Sequence, residues 1–322
     1  MSSKSNPGYR TMIVPLDGSE YSQRALITAT TLARATGAQL VLVRAASASV
    51  LLGVDASEAQ LKVIHEAEAY LTKWAGRLDG MGFRVETAVP FMPAHEGILL
   101  EINQHHAGLV VMCTHGRSGV GRWIYGSVAE KILADSPVPV LLVRPNGPVG
   151  PLLLGSSQAP LLVPLDGSCY AEAALPHALA LSQALDRELL LLRVVVPVMN
   201  PVSSPGQSWA LAMDAEEMVV QEEQDQQMAE DYLDNLVGRL KSEGRRVKSK
   251  VRFGWPAEEI QEESKAAGAG MIVMATHGHT GLRGAILGSV ALEMVHRGLL
   301  PLFLVHPTEL ADTHSELVAE KK

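Results

Sequence analysis

Residues Leu109 to Val128 read LVVMCTHGRSGVGRWIYGSV, and residues Met271 to Val290 read MIVMATHGHTGLRGAILGSV. The two stretches lie 162 residues apart and share one frame: Thr-His-Gly, nine residues, then Gly-Ser-Val. In the first the frame is Thr114, His115, Gly116 and Gly126, Ser127, Val128. In the second it is Thr276, His277, Gly278 and Gly288, Ser289, Val290. Each opens on a short apolar run, Leu109 to Cys113 or Met271 to Ala275, that reads as a buried strand. Each closes where a helical pattern begins, Ser127 to Ala134 or Ser289 to His296. A glycine loop between a strand and a helix N-terminus suits an anionic ligand. Without Cβ atoms the backbone can approach it, and the first-turn N–H groups and the helix dipole point at it.

The repetition runs well beyond the loops. Ile13-Val14-Pro15-Leu16-Asp17-Gly18-Ser19 returns as Leu162-Val163-Pro164-Leu165-Asp166-Gly167-Ser168 at an offset of 149, and Leu42-Val43-Arg44 returns as Leu191-Leu192-Arg193. From Tyr70-Leu71, matching Tyr232-Leu233, the offset becomes 162, so 13 extra residues enter the second copy between Arg193 and Tyr232. Pro145 to Pro160 is rich in Pro, Gly and Ser and reads as the linker. The organisation expected is residues 1–147 as the first domain, 148–159 as linker, 160–308 as the second domain and 309–322 as a charged tail.

Composition narrows the function classes. At 322 residues the chain suits about two domains of roughly 150 residues each. A content of 47% apolar and 19% charged residues supports well-formed cores, and a net charge of −8 argues against a general nucleic-acid surface. Met1 to Arg10 is polar, and the longest apolar stretch, Leu189 to Met199, is broken by Arg193 and Pro197 and is too short to span a bilayer. The two cysteines, Cys113 and Cys169, sit in different repeats without metal-type spacing. A soluble, reducing, cytoplasmic setting is expected, with no membrane or nucleic-acid partner.

Strand and helix patterns alternate along each copy. In the first, Met12–Leu16, Leu40–Arg44, Arg84–Val89, Leu109–Cys113 and Val138–Val143 read as strands. Tyr21–Thr36, Glu58–Leu78, Ala94–His105 and Ser127–Ala134 read as the helices between them. Alternating βα units imply an α/β fold: two repeated doubly wound domains, each a parallel sheet with helices on both faces. Ligands of such sheets sit at the carboxyl ends of the strands, where strand order reverses. Asp17-Gly18-Ser19 and the Thr114–Gly126 loop would then face each other across one crevice.

These residues resemble the universal stress protein family in a tandem form, over about Tyr9–Arg144 and Pro160–Pro307. The family's opening strand ends in Pro-x-Asp-x-Ser, matched by Pro15, Asp17, Ser19 and by Pro164, Asp166, Ser168. Its nucleotide-binding members carry Gly-x2-Gly-x9-Gly-Ser/Thr. Here the second and third glycines are present in both copies, while Cys113 and Ala275 stand at the first. The resemblance implies five parallel strands per domain in the order 3-2-1-4-5 and a pocket for an adenine nucleotide, ATP with Mg²⁺. It places Asp17 and Asp166 at the adenine or ribose end, and Ala45 and Val194 facing adenine. Gly116, Gly126 and Ser127, with Gly278, Gly288 and Ser289, would hold the phosphates. Met112, Cys113, His115, Arg117 and Val128, with Met274, Ala275, His277 and Val290, complete the two candidate sites. Arg122 and Arg283 would add charge. It also implies that the copies pack as an intramolecular pseudo-dimer, with a homo-oligomer left open.

Plainer readings stand beside these. The glycine loops suit a tight turn without a ligand, and Asp17 and Asp166 suit caps of the following turn. His115 and His277 suit loop histidines bonded locally, His105-His106 suits a helix end, and Cys113 and Cys169 suit small buried hydrophobes near the crevice. The run Asp214 to Asp231, eight carboxylates with no basic residue, suits a solvated helix face. Enzyme frames fit poorly: neither loop carries a P-loop lysine, the glycines follow the fourth strand instead of the first, and no Gly-x-Ser-x-Gly is present. The expectation is a stress-type binding module without catalytic residues or a protein metal site. The alternatives are an interaction protein with degenerate pockets or a low-turnover ATP hydrolase. Pro201 to Trp209 reads as a flexible loop over the second pocket, with Trp209 placed to stack on adenine. The fifth strands, apolar and at sheet edges, are expected to pair with each other.

Overall fold

The computed structural model describes residues 8–46, 56–114, 126–145, 147, 159–197, 208–278 and 287–307, with backbone alone for 56–59 and 208–217. The first domain runs β1 (Thr11–Pro15), α1 (Glu20–Thr36), β2 (Gln39–Val43), α2 (Ala56–Asp79), β3 (Val85–Ala88), α3 (Ala94–Gln104), β4 (Leu109–Cys113), α4 (Ser127–Asp135) and β5 (Val140–Val143). The second runs β6 (Leu161–Pro164), α5 (Cys169–Glu172), α6 (Leu175–Leu185), β7 (Leu189–Val195), α7 (Ser208–Ser242), β8 (Val247–Phe253), α8 (Pro256–Ala266), β9 (Met271–Ala275), α9 (Ser289–Arg297) and β10 (Leu302–Val305). All ten strands form one sheet, in the order β3-β2-β1-β4-β5-β10-β9-β6-β7-β8. Each half is therefore 3-2-1-4-5, parallel throughout, and the halves join where β10 pairs antiparallel with β5, Phe303 opposite Leu141. The two apolar edges cover each other, as expected.

Helices on both faces explain the unbroken apolar runs of the central strands. Alternate residues feed two continuous cores. Val14, Leu42, Val111, Leu141 and Phe303 face one side with α1 and α6. Ile13, Val41, Val110, Leu142 and Leu304 face the other with α3, α4, α8 and α9. Among the described residues no helix is long and apolar enough to cross a membrane.

Two expectations are corrected here. Cys169 does not line the crevice: it occupies the first position of α5, just after the Ser168 N-cap, and is exposed, whereas Cys113 is buried. Ser208 and Trp209 are not loop residues. They open the 35-residue α7, where the Ala-, Glu- and Gln-rich run that follows favours helix. Residues 201–207 lie outside the described residues. The acidic run lies on α7, within which Gln221–Asp225 and Gln227–Asp231 pair one turn apart at 2.9 Å.

The domain junction carries polar groups as well. The Tyr9 hydroxyl lies 2.7 Å from His177 Nδ1 across the interface, and both rings pack on Phe303. Burial pushes the His177 pKa down from 6.5 to about 4, so folding favours its neutral form. The unfolded chain then takes up the proton first. This contribution is complete above pH 6.5 and is lost as the pH falls towards about 4. His177→Gln is expected to reduce the difference in unfolding free energy between pH 7 and pH 4.5 by about 2 kcal/mol. Urea titrations at the two pH values measure it, and an unchanged difference would assign the acid sensitivity elsewhere.

Candidate functional site

In each domain a cavity lies at the carboxyl ends of the strands, where the order reverses between strands one and four. The first, about 540 Å³, is lined by Pro15, Asp17, Arg44, Ala45, Met112, Cys113, Thr114, Gly126, Ser127 and Val128 among others. The second, about 730 Å³, is lined by Pro164, Asp166, Arg193, Val194, Met274, Ala275, Thr276, His277, Gly278, Gly288, Ser289 and Val290 among others. Both volumes suit a small-molecule ligand. His115, Gly116, Arg117, Arg122 and Arg283 lie outside the described residues.

The loop after strand four leaves and returns at one point. Gly126 N–H donates to the Thr114 carbonyl at 2.8 Å, and Gly288 N–H donates to the Thr276 carbonyl at the same distance. This close crossing accounts for Gly288. A Cβ there would press on the Thr276 carbonyl at 3.3 Å. Each glycine is the N-cap of a nine-residue helix and supplies no side-chain cap, so first-turn N–H groups of α4 and α9 face the cavities beside Ser127 and Ser289.

The aspartates hold the following turn, the plainer role considered for them, and each also lines its cavity. Asp17 Oδ1 accepts from Ser19 N at 2.9 Å and Ser19 Oγ at 2.6 Å, and Asp166 Oδ1 does the same with Ser168. Ser19 and Ser168 then cap α1 and α5. The turn needs Gly18 and Gly167 in the left-handed region, at φ 88° and 82°. Asp166 Oδ2 stands where a Cβ on Gly278 would be, 2.2 Å from that position, so this motif glycine admits the carboxylate. His277 Nδ1 lies 3.1 Å from Thr276 Oγ1, a local bond of the plainer kind. Cys113 and Ala275, where the first glycine of the motif would stand, put small buried side chains on the cavity floors.

Sequence reasoning missed the outer walls. Arg44 stacks on Tyr70 with its guanidinium carbon 4.6 Å from the ring centre, and Arg193 stacks on Tyr232 at 5.6 Å. Tyr232 also donates to Glu172 Oε1 at 2.9 Å; burial and that carboxylate push its pKa well above the usual range. In the first domain Gln23 occupies the matching sequence position, and the Tyr70 hydroxyl is buried without a partner. Helix α2 brings Val63 and Glu66 to the first cavity, while α7 brings Asp225 and Met228 to the same places in the second. The matched tyrosines signalled these walls, since they fix the register of the two helices. Among the described residues no group of three His, Cys, Asp or Glu side chains is arranged to hold a metal ion.

Comparison with known proteins agrees with this architecture. The pattern of the universal stress protein family matches twice, over residues 8–144 and 159–306. A universal stress protein of Mycobacterium tuberculosis is 28% identical over 210 residues, 64% of this chain and 64% of its own length. The chain thus spans just under two thirds of that relative. One from Thermus aquaticus is 34% identical over 137 residues, 42% of this chain and 99% of its own. The crystal structure of a universal stress protein from Archaeoglobus fulgidus has the same fold, with a TM-score of 0.67 and 22% identity over 93% of this chain and 99% of that one. Two family matches, one on each half of the sheet, lead to one conclusion: the chain belongs to the universal stress protein family.

Proposed function

We propose that the protein is a cytoplasmic stress-response module that holds an adenine nucleotide, ATP with Mg²⁺, in one or both domains and acts through occupancy. One observation carries this reading: the same cavity recurs in both halves, with a fixed aspartate at one side and an uncapped helix N-terminus with a serine at the other. Adenine would lie against Ala45 or Val194, ribose at Asp17 or Asp166, and phosphates at Gly126-Ser127 or Gly278, Gly288 and Ser289. Phosphates at such a terminus gain N–H donors and a favourable dipole. Mg²⁺ would arrive on the phosphates with its waters, as it does in sites that supply few protein ligands. Binding is preferred over turnover because Asp17 and Asp166 each spend one oxygen on two bonds within their own turn, which suits a positioning group.

Calorimetry with ATP and Mg²⁺ tests the reading. Wild type is expected to bind, and Ala45→Trp with Val194→Trp, which fills both cavities from strand ends two, is expected to abolish binding with circular dichroism unchanged. Binding that survives in the double variant would place the nucleotide elsewhere. No binding by the folded wild type would favour the reading that Cys113 and Ala275 mark degenerate pockets.

A further inference from the structure

The two helices that begin at the candidate phosphate sites end against the opposite domain. Arg144, the residue after β5, is buried and donates through its two terminal nitrogens to the carbonyls of Val295 and Met294 near the carboxyl end of α9, with Nε 3.5 Å from the Leu300 carbonyl. The residue at the same place after β10 is His306, 162 positions on. Its imidazole interacts with the backbone of Leu133, near the end of α4, and Leu133 is the repeat partner of Val295. That contact falls short of full hydrogen-bond geometry, since His306 Nε2 is buried and makes no bond.

Each of these positions is also tied to a residue that lines its own cavity. His306 Nδ1 lies 3.1 Å from Thr276 Oγ1, whose carbonyl holds the Gly288 N-cap. Arg144 directly follows Val143, which pairs with Cys113 on the floor of the first cavity and accepts from Thr114 N at 3.1 Å, and the Arg144 carbonyl is held by Arg24 Nε at 3.3 Å. The two links are built from different chemistry. Burial lowers the Arg144 pKa only to about 10, so it stays charged at neutral pH. Burial pushes the His306 pKa down against the pull of the Leu133 backbone, and His277 adds to the lowering.

We propose that the cavities are coupled through these crossed contacts: Arg144 joins the first cavity to α9 and so to the second, and His306 joins the second cavity to α4 and so to the first. A helix of nine residues is a rod of about 13 Å. An anion drawn to its amino end displaces the carboxyl end, and the group seated there belongs to the other domain. The coupling is a free energy between the two sites, so it acts equally in both directions. This inference rests on the nucleotide reading above.

The test is an ATP–Mg²⁺ titration of the full chain by calorimetry in wild type, in Ala45→Trp and in Val194→Trp. The two variants report each cavity with the other filled. The expected result is that the wild-type isotherm departs from the sum of the two isolated sites by at least about fivefold in the second affinity. Arg144→Gln with His306→Gln is expected to return it to the sum. A merely structural cap would lower stability in these variants and leave the departure unchanged, which would overturn the proposal. Independent sites in wild type, or binding confined to one cavity, would overturn it as well. An absence of ATP heat in every folded protein is a different result, because it defeats the nucleotide reading itself. If Arg144→Gln does not fold, His306→Gln alone decides: it is expected to reduce the departure, and an unchanged departure counts against the proposal.

Discussion

Truncating Phe303 to alanine is expected to lower the unfolding free energy by about 3–5 kcal/mol, the range for a large aromatic removed from a closed core. Phe303 has no exposed surface and sits on β10 at the seam between the halves, opposite Leu141 of the first domain. Its ring meets Tyr9 edge-on at 5.9 Å and His177 at 6.0 Å, so residues from both domains would line the void. Because the seam lies in the middle of one continuous sheet, the loss should reach both halves, and urea unfolding followed by circular dichroism should remain a single transition at a lower midpoint. Phe303→Leu, which keeps most of the volume, should cost less than about 1.5 kcal/mol. A loss under about 1 kcal/mol for the alanine variant, or two separate transitions in wild type, would show that the domains are stable apart and that the seam is only a contact.

The legible part of this fold is the part that repeats. Apolar runs such as Leu109–Cys113 become strands buried on both faces, and the glycines of the loops mark where the chain turns back onto a helix. Pairing of β5 with β10 was foreseeable because two short apolar edges had no other cover. The described residues expected at the sites all line the two cavities. What could not be read were contacts whose partner has no residue-type signature. Arg144 and His306 occupy matching positions, yet they differ in type and the groups they face across the seam are backbone, so no spacing announces them. Tyr9 and His177 are 168 positions apart in different repeats and obey neither offset. Cys169 was misplaced because its neighbours suggested a crevice, whereas the first position after an N-cap faced solvent. Trp209 was misplaced because Pro, Ser and Gly before it were read as extending the loop, while the composition after it set the helix.

The second large effect is expected at Gly278. Replacing it with valine should weaken ATP binding in the second cavity by at least about tenfold, or about 1.4 kcal/mol. A Cβ at this position would lie 2.2 Å from Asp166 Oδ2, far inside contact distance. The carboxylate cannot simply swing aside, because its Oδ1 is held by Ser168 N at 2.9 Å and Ser168 Oγ at 2.6 Å. Each such bond contributes on the order of 1 kcal/mol, and releasing them also disturbs the cap of α5. Either Asp166 leaves the position proposed for ribose or the loop carrying His277 and Gly278 moves away from the cavity, and both outcomes oppose the ligand. The measurement belongs in an Ala45→Trp background, where the first cavity is filled and only the second reports. Gly278→Ala separates the cause from a general loop effect. If the collision with Asp166 is responsible, the alanine variant should lose affinity in the parent and lose little more once Asp166→Ala has removed the obstructing carboxylate. Additive losses, or an unchanged affinity in the valine variant, would mean that this glycine serves the turn alone and that Asp166 does not meet the ligand.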